Sequence, residues 1–146
     1  MNQENKEVCL VPVGGLANRM RAIVSVLNAC QKAGVKLKIV WFRNRELNAP
    51  FFSLFNPLSS LKVTLKEAAR IDFLRYYRPV KKNLWLSKYY LRSHFDKVLS
   101  MTDCIPIVRD EQNLVNLISE TERLYMESCY DMGSYRNIRE IMSPNR

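Results

Sequence analysis

The run Val11-Pro12-Val13-Gly14-Gly15-Leu16-Ala17-Asn18-Arg19-Met20 restricts the fold more than any other part of the chain. It takes an apolar strand through two glycines straight into a helix. Residues 7–13 are mostly apolar and β-branched, which suits a buried parallel strand. Gly14 and Gly15 permit backbone angles and close approaches that a Cβ would block. Residues 16–33 then switch to helical spacing, with Met20, Ile23, Val24, Leu27 and Cys30 on one apolar face and Gly34 as the C-terminal stop. Residues 35–41 return as a second strand. The unit reads strand-turn-helix-strand, and its first turn offers free amides and the positive end of a helix dipole to an anion.

The turn is neither a dinucleotide fingerprint, which needs three spaced glycines and a later acid, nor a P-loop, since no Gly-Lys-Ser/Thr follows. A tight turn that merely packs a helix on a sheet is the plainer reading. Asn18, Arg19 and Arg21 argue for more. Cations on the first helical turn oppose the dipole, and an anionic ligand nearby would account for them.

The run Gly14-Gly15-Leu16-Ala17-Asn18-Arg19-Met20-Arg21-Ala22, the strand ending in Trp41 and the segment Glu46-Leu47-Asn48-Ala49-Pro50-Phe51 resemble the N-terminal part of fucosyltransferase-like glycosyltransferases. These include bacterial α-1,2- and α-1,6-fucosyltransferases and protein O-fucosyltransferases. The resemblance covers residues 7–57. It implies half of a two-domain, GT-B-like enzyme that moves a sugar from a GDP-linked donor to a glycan acceptor without a metal or other cofactor. It places Asn18, the motif's asparagine, near the donor phosphates or the reaction centre, and Gly14 at the motif's first glycine. Ala17 stands where that family has its second glycine. His94, in Arg92-Ser93-His94-Phe95-Asp96, lacks the arginine of the family's His-x-Arg-x-x-Asp motif. The expected organisation is a disordered N-terminus (1–6), a Rossmann-like α/β domain with a mainly parallel sheet (7–129), and a tail (130–146) leading towards a second domain.

The 146 residues carry a net charge of +9, and 47% are hydrophobic, enough for a core in one domain. No run reaches the ~18 apolar residues of a membrane span, and the polar N-terminus is unlike a signal peptide. Cys9, Cys30, Cys104 and Cys129 lack the short paired spacing of zinc sites. Cys9 and Cys30 read as small buried hydrophobes, and a reducing, cytoplasmic setting is the simplest home.

Residues 70–97 hold a net +6, including Arg75, Arg78, Lys81, Lys82, Lys88 and Arg92, interleaved with seven aromatic rings. Such a stretch fits an anionic glycan, an anionic membrane surface at which a cytoplasmic enzyme would work, or, with no recognisable RNA-binding motif in support, a nucleic acid. It fits equally a pair of amphipathic helices with Leu84, Trp85, Tyr89 and His94 or Phe95 as a buried stripe. The remaining pattern predicts a strand at 61–65, a helix at 66–77 broken by Pro79, a second helix at 80–94, a short strand at 96–100, a helix at 111–119 capped by Asp110, and a last strand at 123–129.

Candidate catalytic bases are few. Glu46 and Asp131 fall in loops after strands, where open α/β folds place their sites. Arg43 and Arg45 follow the second strand and would reach a phosphate or an acceptor. For each of the four, a solvated loop charge is the plainer reading.

Overall fold

The computed structural model describes residues 6–43, 47–55, 62–76, 84–130, 132, 142 and 144, without the side chains of residues 74, 84 and 85. The opening unit forms as its pattern dictates. β1 (Glu7–Pro12) runs into the glycine turn, α1 (Leu16–Ala33) follows, and β2 (Lys36–Trp41) returns parallel to β1, with Val8 beside Leu37 and Leu10 beside Ile39. Gly34 ends α1 in the left-handed region (φ 71°) and lets Val35 N–H donate to Cys30 O.

Three more strands complete the sheet: β3 (Val63–Glu67), β4 (Lys97–Leu99) and β5 (Arg123–Ser128). Every pairing is parallel, in the order β3-β2-β1-β5-β4. The connections carry α2 (Phe51–Leu54), α3 (Asp72–Arg75), α4 (Leu84–His94), α5 (Met101–Cys104) and α6 (Glu111–Glu120).

The connections β1→β2, β2→β3 and β4→β5 step the same way across the sheet. Residues of α1, α2 and α6 accordingly share one face with Leu10, Ile39 and Met126. The connection β3→β4 returns the opposite way, and Tyr76, Leu91 and Phe95 cover the other face against Val11, Val40 and Tyr125. A constant crossover hand requires this division. The result is a Rossmann-like three-layer α/β domain with an all-parallel sheet.

α1 is buried without a break from Ala22 to Cys30. It is more than the one-faced helix its spacing predicts, because α6 flanks it and Met132, beyond β5, bonds to Ser25. Ser25 Oγ donates to Arg21 O (2.7 Å) and accepts from Met132 N–H (3.0 Å). Met142 is also buried in this layer, and Pro144 forms an antiparallel bridge with Phe55. These are described points of the 130–146 tail. Of the N-terminal segment only Lys6 is described, and its ammonium donates to Ser119 O.

Residues 66–77 are not one helix. β3 continues to Glu67, because its ladder with β2 pairs Val40 with Lys66 and Trp41 with Glu67. Helix propensity yields there to a parallel neighbour. The helix shrinks to α3, fixed by Asp72, whose buried carboxylate accepts from Ala69 N–H (2.8 Å) and pairs with Lys66 (3.0 Å).

α4 also differs from the expected stripe. Tyr89 is 72% exposed and His94 is exposed, while Ser87 and Leu91, one turn apart, face the sheet. The register follows the rings beneath it: Tyr76 stacks on Tyr125 and meets Tyr90 edge-on. The sequence reading has no counterpart for α5, which a Ser100–Asp103 capping box nucleates.

Candidate functional site

The carboxyl ends of parallel strands are where open α/β sheets bind ligands, and the Gly14 turn lies there, between β1 and α1. Gly14 has φ 90°, a conformation that disfavours any Cβ, and an added Cβ would lie 3.3 Å from Asn18 and 3.4 Å from Cys129. Gly15 differs from the expectation for a close-approach glycine. Its φ is −74° and an added Cβ would meet nothing within 4 Å. Gly14→Ala should therefore cost about 1–2 kcal/mol in urea unfolding and shift the turn. Gly15→Ala should stay within about 0.5 kcal/mol of the parent.

Beyond the glycines, α1 begins with no side-chain cap and no acidic residue in its first turn. Leu16, Ala17 and Asn18 are exposed. Among the described residues, the first amide of α1 to find an acceptor is Arg19 N–H, which donates to Gly15 O (3.0 Å). Among the described residues the amides of 16–18 have no acceptor, and they lie at the positive end of an 18-residue helix.

Arg19 does not join them at the surface. It is fully buried: Nε donates to Gly14 O (2.8 Å), Nη1 donates to Phe42 O (2.6 Å), and its guanidinium lies 4.7 Å from the Trp41 ring centroid. The cation therefore ties the turn after β1 to the residue after β2. Those two carbonyls help to hold the cation inside the fold on the first turn. Arg21 remains exposed, and its Nη1 donates to Asn18 Oδ1 (3.2 Å), so Asn18 and Arg21 form the outward polar pair.

The other candidates separate. Arg43 is exposed just after β2. Glu46, Asp131, Arg45, Arg78, Lys81 and Lys82 lie outside the described residues. Arg75 is half-buried, with its guanidinium 5.5 Å from the Tyr90 ring. Lys88 and Arg92 are exposed one turn apart on α4, beside a groove of about 360 Å³ floored by Leu91 and Val98. The described rings of the 70–97 stretch mostly turn inward, which is the amphipathic-helix arrangement. Among the described residues, no three His, Cys, Asp or Glu side chains gather to hold a metal, and no helix is long and apolar enough to cross a membrane.

Sequence reading missed a charged row on the sheet itself: Glu7, Lys38 and Arg123, on adjacent strands and one face. The signal was the Lys36-x-Lys38 alternation in β2, which marks a partly wet face of that strand. No family model, curated protein or solved structure matches this chain.

Proposed function

We propose that this chain is the N-terminal domain of a fucosyltransferase-like glycosyltransferase, with the β1–α1 turn facing the diphosphate of a GDP-sugar donor. The observation that carries the reading is the uncapped, acid-free start of α1 behind Gly14, at the carboxyl edge of a parallel sheet, with the Asn18–Arg21 pair beside it. Open amides and a helix dipole stabilise a phosphate without a metal ion. Sugar transfer from a nucleotide leaves a diphosphate whose growing negative charge such donors meet, while a base takes the proton of the acceptor hydroxyl. Glu46 and Asp131 remain the candidates for that base.

The surroundings support a site shared with a second body. Leu16, Phe52, Ile71 and Ile105 are large, apolar and at least 37% exposed. Each is tied to the carboxyl edge. Leu16 opens α1. Phe52 follows Phe51, whose N–H donates to Glu67 at the end of β3. Ile71 follows Ala68, whose N–H donates to Trp41 O. Ile105 follows Cys104, whose thiol donates to Glu127 O. These side chains are spread along the carboxyl edge, where a second body would cover them.

The test is an amide NMR titration of the ¹⁵N-labelled chain with GDP-fucose and with GDP. Weak binding, in the millimolar range, should move the amides of Leu16, Ala17 and Asn18 first. In a protein that joins this chain to a second domain, Asn18→Ala should then lower turnover. Saturable shifts centred elsewhere, or full turnover by the Asn18→Ala enzyme, would reject the assignment.

A further inference from the structure

The basic, aromatic stretch gathers four of its side chains around one cavity. Tyr76, Tyr90, His94 and Phe95 wall a space of about 240 Å³ whose remaining lining is Glu7, Lys38 and Arg123. Glu7 and Arg123 are the first residues of β1 and β5, and Lys38 is the third of β2. The cavity therefore opens at the amino end of the three central strands, the end opposite the Gly14 turn.

Charges at the first residue of a strand are usually solvated or paired. Among the described residues these are not paired. Glu7 and Arg123 are direct partners in the ladder, yet among the described residues neither side chain makes a hydrogen bond or an ion pair. Lys38 is half-buried, with the Tyr76 ring 5.8 Å from its ammonium and no carboxylate partner among the described residues. Lys66 on β3 makes the contrast, because Asp72 meets it at 3.0 Å. His94 stacks on Tyr90 (4.0 Å between centroids), and its Nδ1 lies 2.9 Å from Tyr90 O and 3.0 Å from Ser93 Oγ. Those contacts hold the ring at the cavity wall and use one nitrogen, which leaves Nε2 available.

We propose that this cavity binds a sugar ring bearing an oxyanion, a phosphate or a carboxylate. Lys38 and Arg123 stand on strands two spacings apart, roughly 10 Å between backbones, a gap that long side chains close around one anionic group. Glu7 lies between them. Its carboxylate repels a bare phosphate dianion but accepts hydrogen bonds from hydroxyls, so it selects an anion that brings hydroxyl groups with it. Tyr90 and Phe95 offer apolar surface to the carbon skeleton. The volume of about 240 Å³ lies below the usual range of ligand pockets, about 300 to 1,000 Å³, and it limits the ligand to a single ring.

Titration of the ¹⁵N-labelled chain with glucose 1-phosphate, glucuronate, glucose and inorganic phosphate tests this. One or both sugar anions should saturate, with shifts at Glu7, Lys38, His94 and Arg123, and the tighter of the two identifies the oxyanion. Glucose and inorganic phosphate should bind at least tenfold more weakly. Lys38→Ala and Arg123→Ala should each weaken the sugar anion at least tenfold, and Glu7→Ala should raise the affinity for inorganic phosphate. Arg123 is exposed, so its loss spares the fold even if the Lys38 variant does not fold. The proposal fails if neither sugar anion saturates, if inorganic phosphate binds as well as they do, if Arg123→Ala binds normally, or if the shifts centre on residues 16–18. The result is independent of the GDP-fucose titration, which reads amides at the other end of the sheet.

Discussion

Arg19→Ala should lower the stability of the domain by about 4 kcal/mol, more than any other single charge removal. Three losses add. The carbonyls of Gly14 and Phe42 each lose a charged donor, at 2.8 Å in a part-buried and 2.6 Å in a buried setting, and a hydrogen bond to a charged group contributes about 1.5–3 kcal/mol. The Trp41 ring loses the guanidinium stacked 4.7 Å away, an interaction worth about 0.5–2 kcal/mol. A side chain with no solvent exposure leaves a void between β1, β2 and α1. For a chain of this size the total corresponds to a melting temperature lower by roughly 10 °C. Arg19→Lys should recover less than half, since one ammonium on a flexible stem cannot reproduce a fork that reaches two carbonyls. Urea unfolding of the three proteins at neutral pH is the measurement. A loss below about 1 kcal/mol for Arg19→Ala would mean that the turn holds without its clamp. If the clamp matters as argued, the variant should also broaden the amide signals of residues 14–18, because Gly14 O is one of its anchors. The opening motif thus divides its labour: Arg19 holds the turn from within, and Asn18 and Arg21 face whatever approaches it.

That division was partly legible beforehand. Arg19 stands four residues before Ile23 and eight before Leu27, in phase with the buried stripe of α1, which marks it as inward-facing. What the pattern lacks is the partner. Phe42 O comes within reach only because β2 pairs with β1, and no local rule supplies that carbonyl. The opening unit was legible throughout, since its hydrophobic period changes from strand to helix and back at glycines. The strand order was not. Whether the chain returns from β3 to the far edge before filling the place beside β1 depends on long-range pairing. The end of β3 shows the same conflict at short range. Lys66, Glu67, Ala68 and Ala69 are good helix formers, but Trp41 O accepts from Ala68 N–H (2.8 Å), and the sheet keeps the segment extended. At the amino end, the Lys36-x-Lys38 alternation carried the information that one face of β2 is not fully covered, and it would have pointed towards the charged cavity.

Alkali should destabilise the domain through three of its four cysteines. Burial pushes the thiols of Cys9 and Cys104 up from 9.0 to about 12 and that of Cys30 higher still. Lys38 draws Cys9 back slightly, and Asp103 and Glu127 add to the rise at Cys104. The native state therefore keeps protons that the unfolded chain releases above pH 9. Because the folded values are the raised ones, this stability is fully present below pH 9 and drains away as pH climbs from 9 towards 12. Each thiol contributes a slope approaching about 1.4 kcal/mol per pH unit, so three give about 3–4 kcal/mol per unit between pH 9.5 and 10. Such a slope consumes a total of 5–15 kcal/mol within a few units. Urea unfolding at half-unit intervals from pH 8 to 10 measures it. Cys9→Ala should cost only about 1 kcal/mol at pH 7, as a small side chain replaced by a smaller one, yet it should reduce the alkaline slope by about a third. An unchanged slope in that variant would show that Cys9 gives up its proton in the folded protein. Alkylation gives a second reading of the same burial. Cys129 is half-buried, so iodoacetamide at pH 8 should label it first, while Cys9, Cys30 and Cys104 react only as fast as the domain opens.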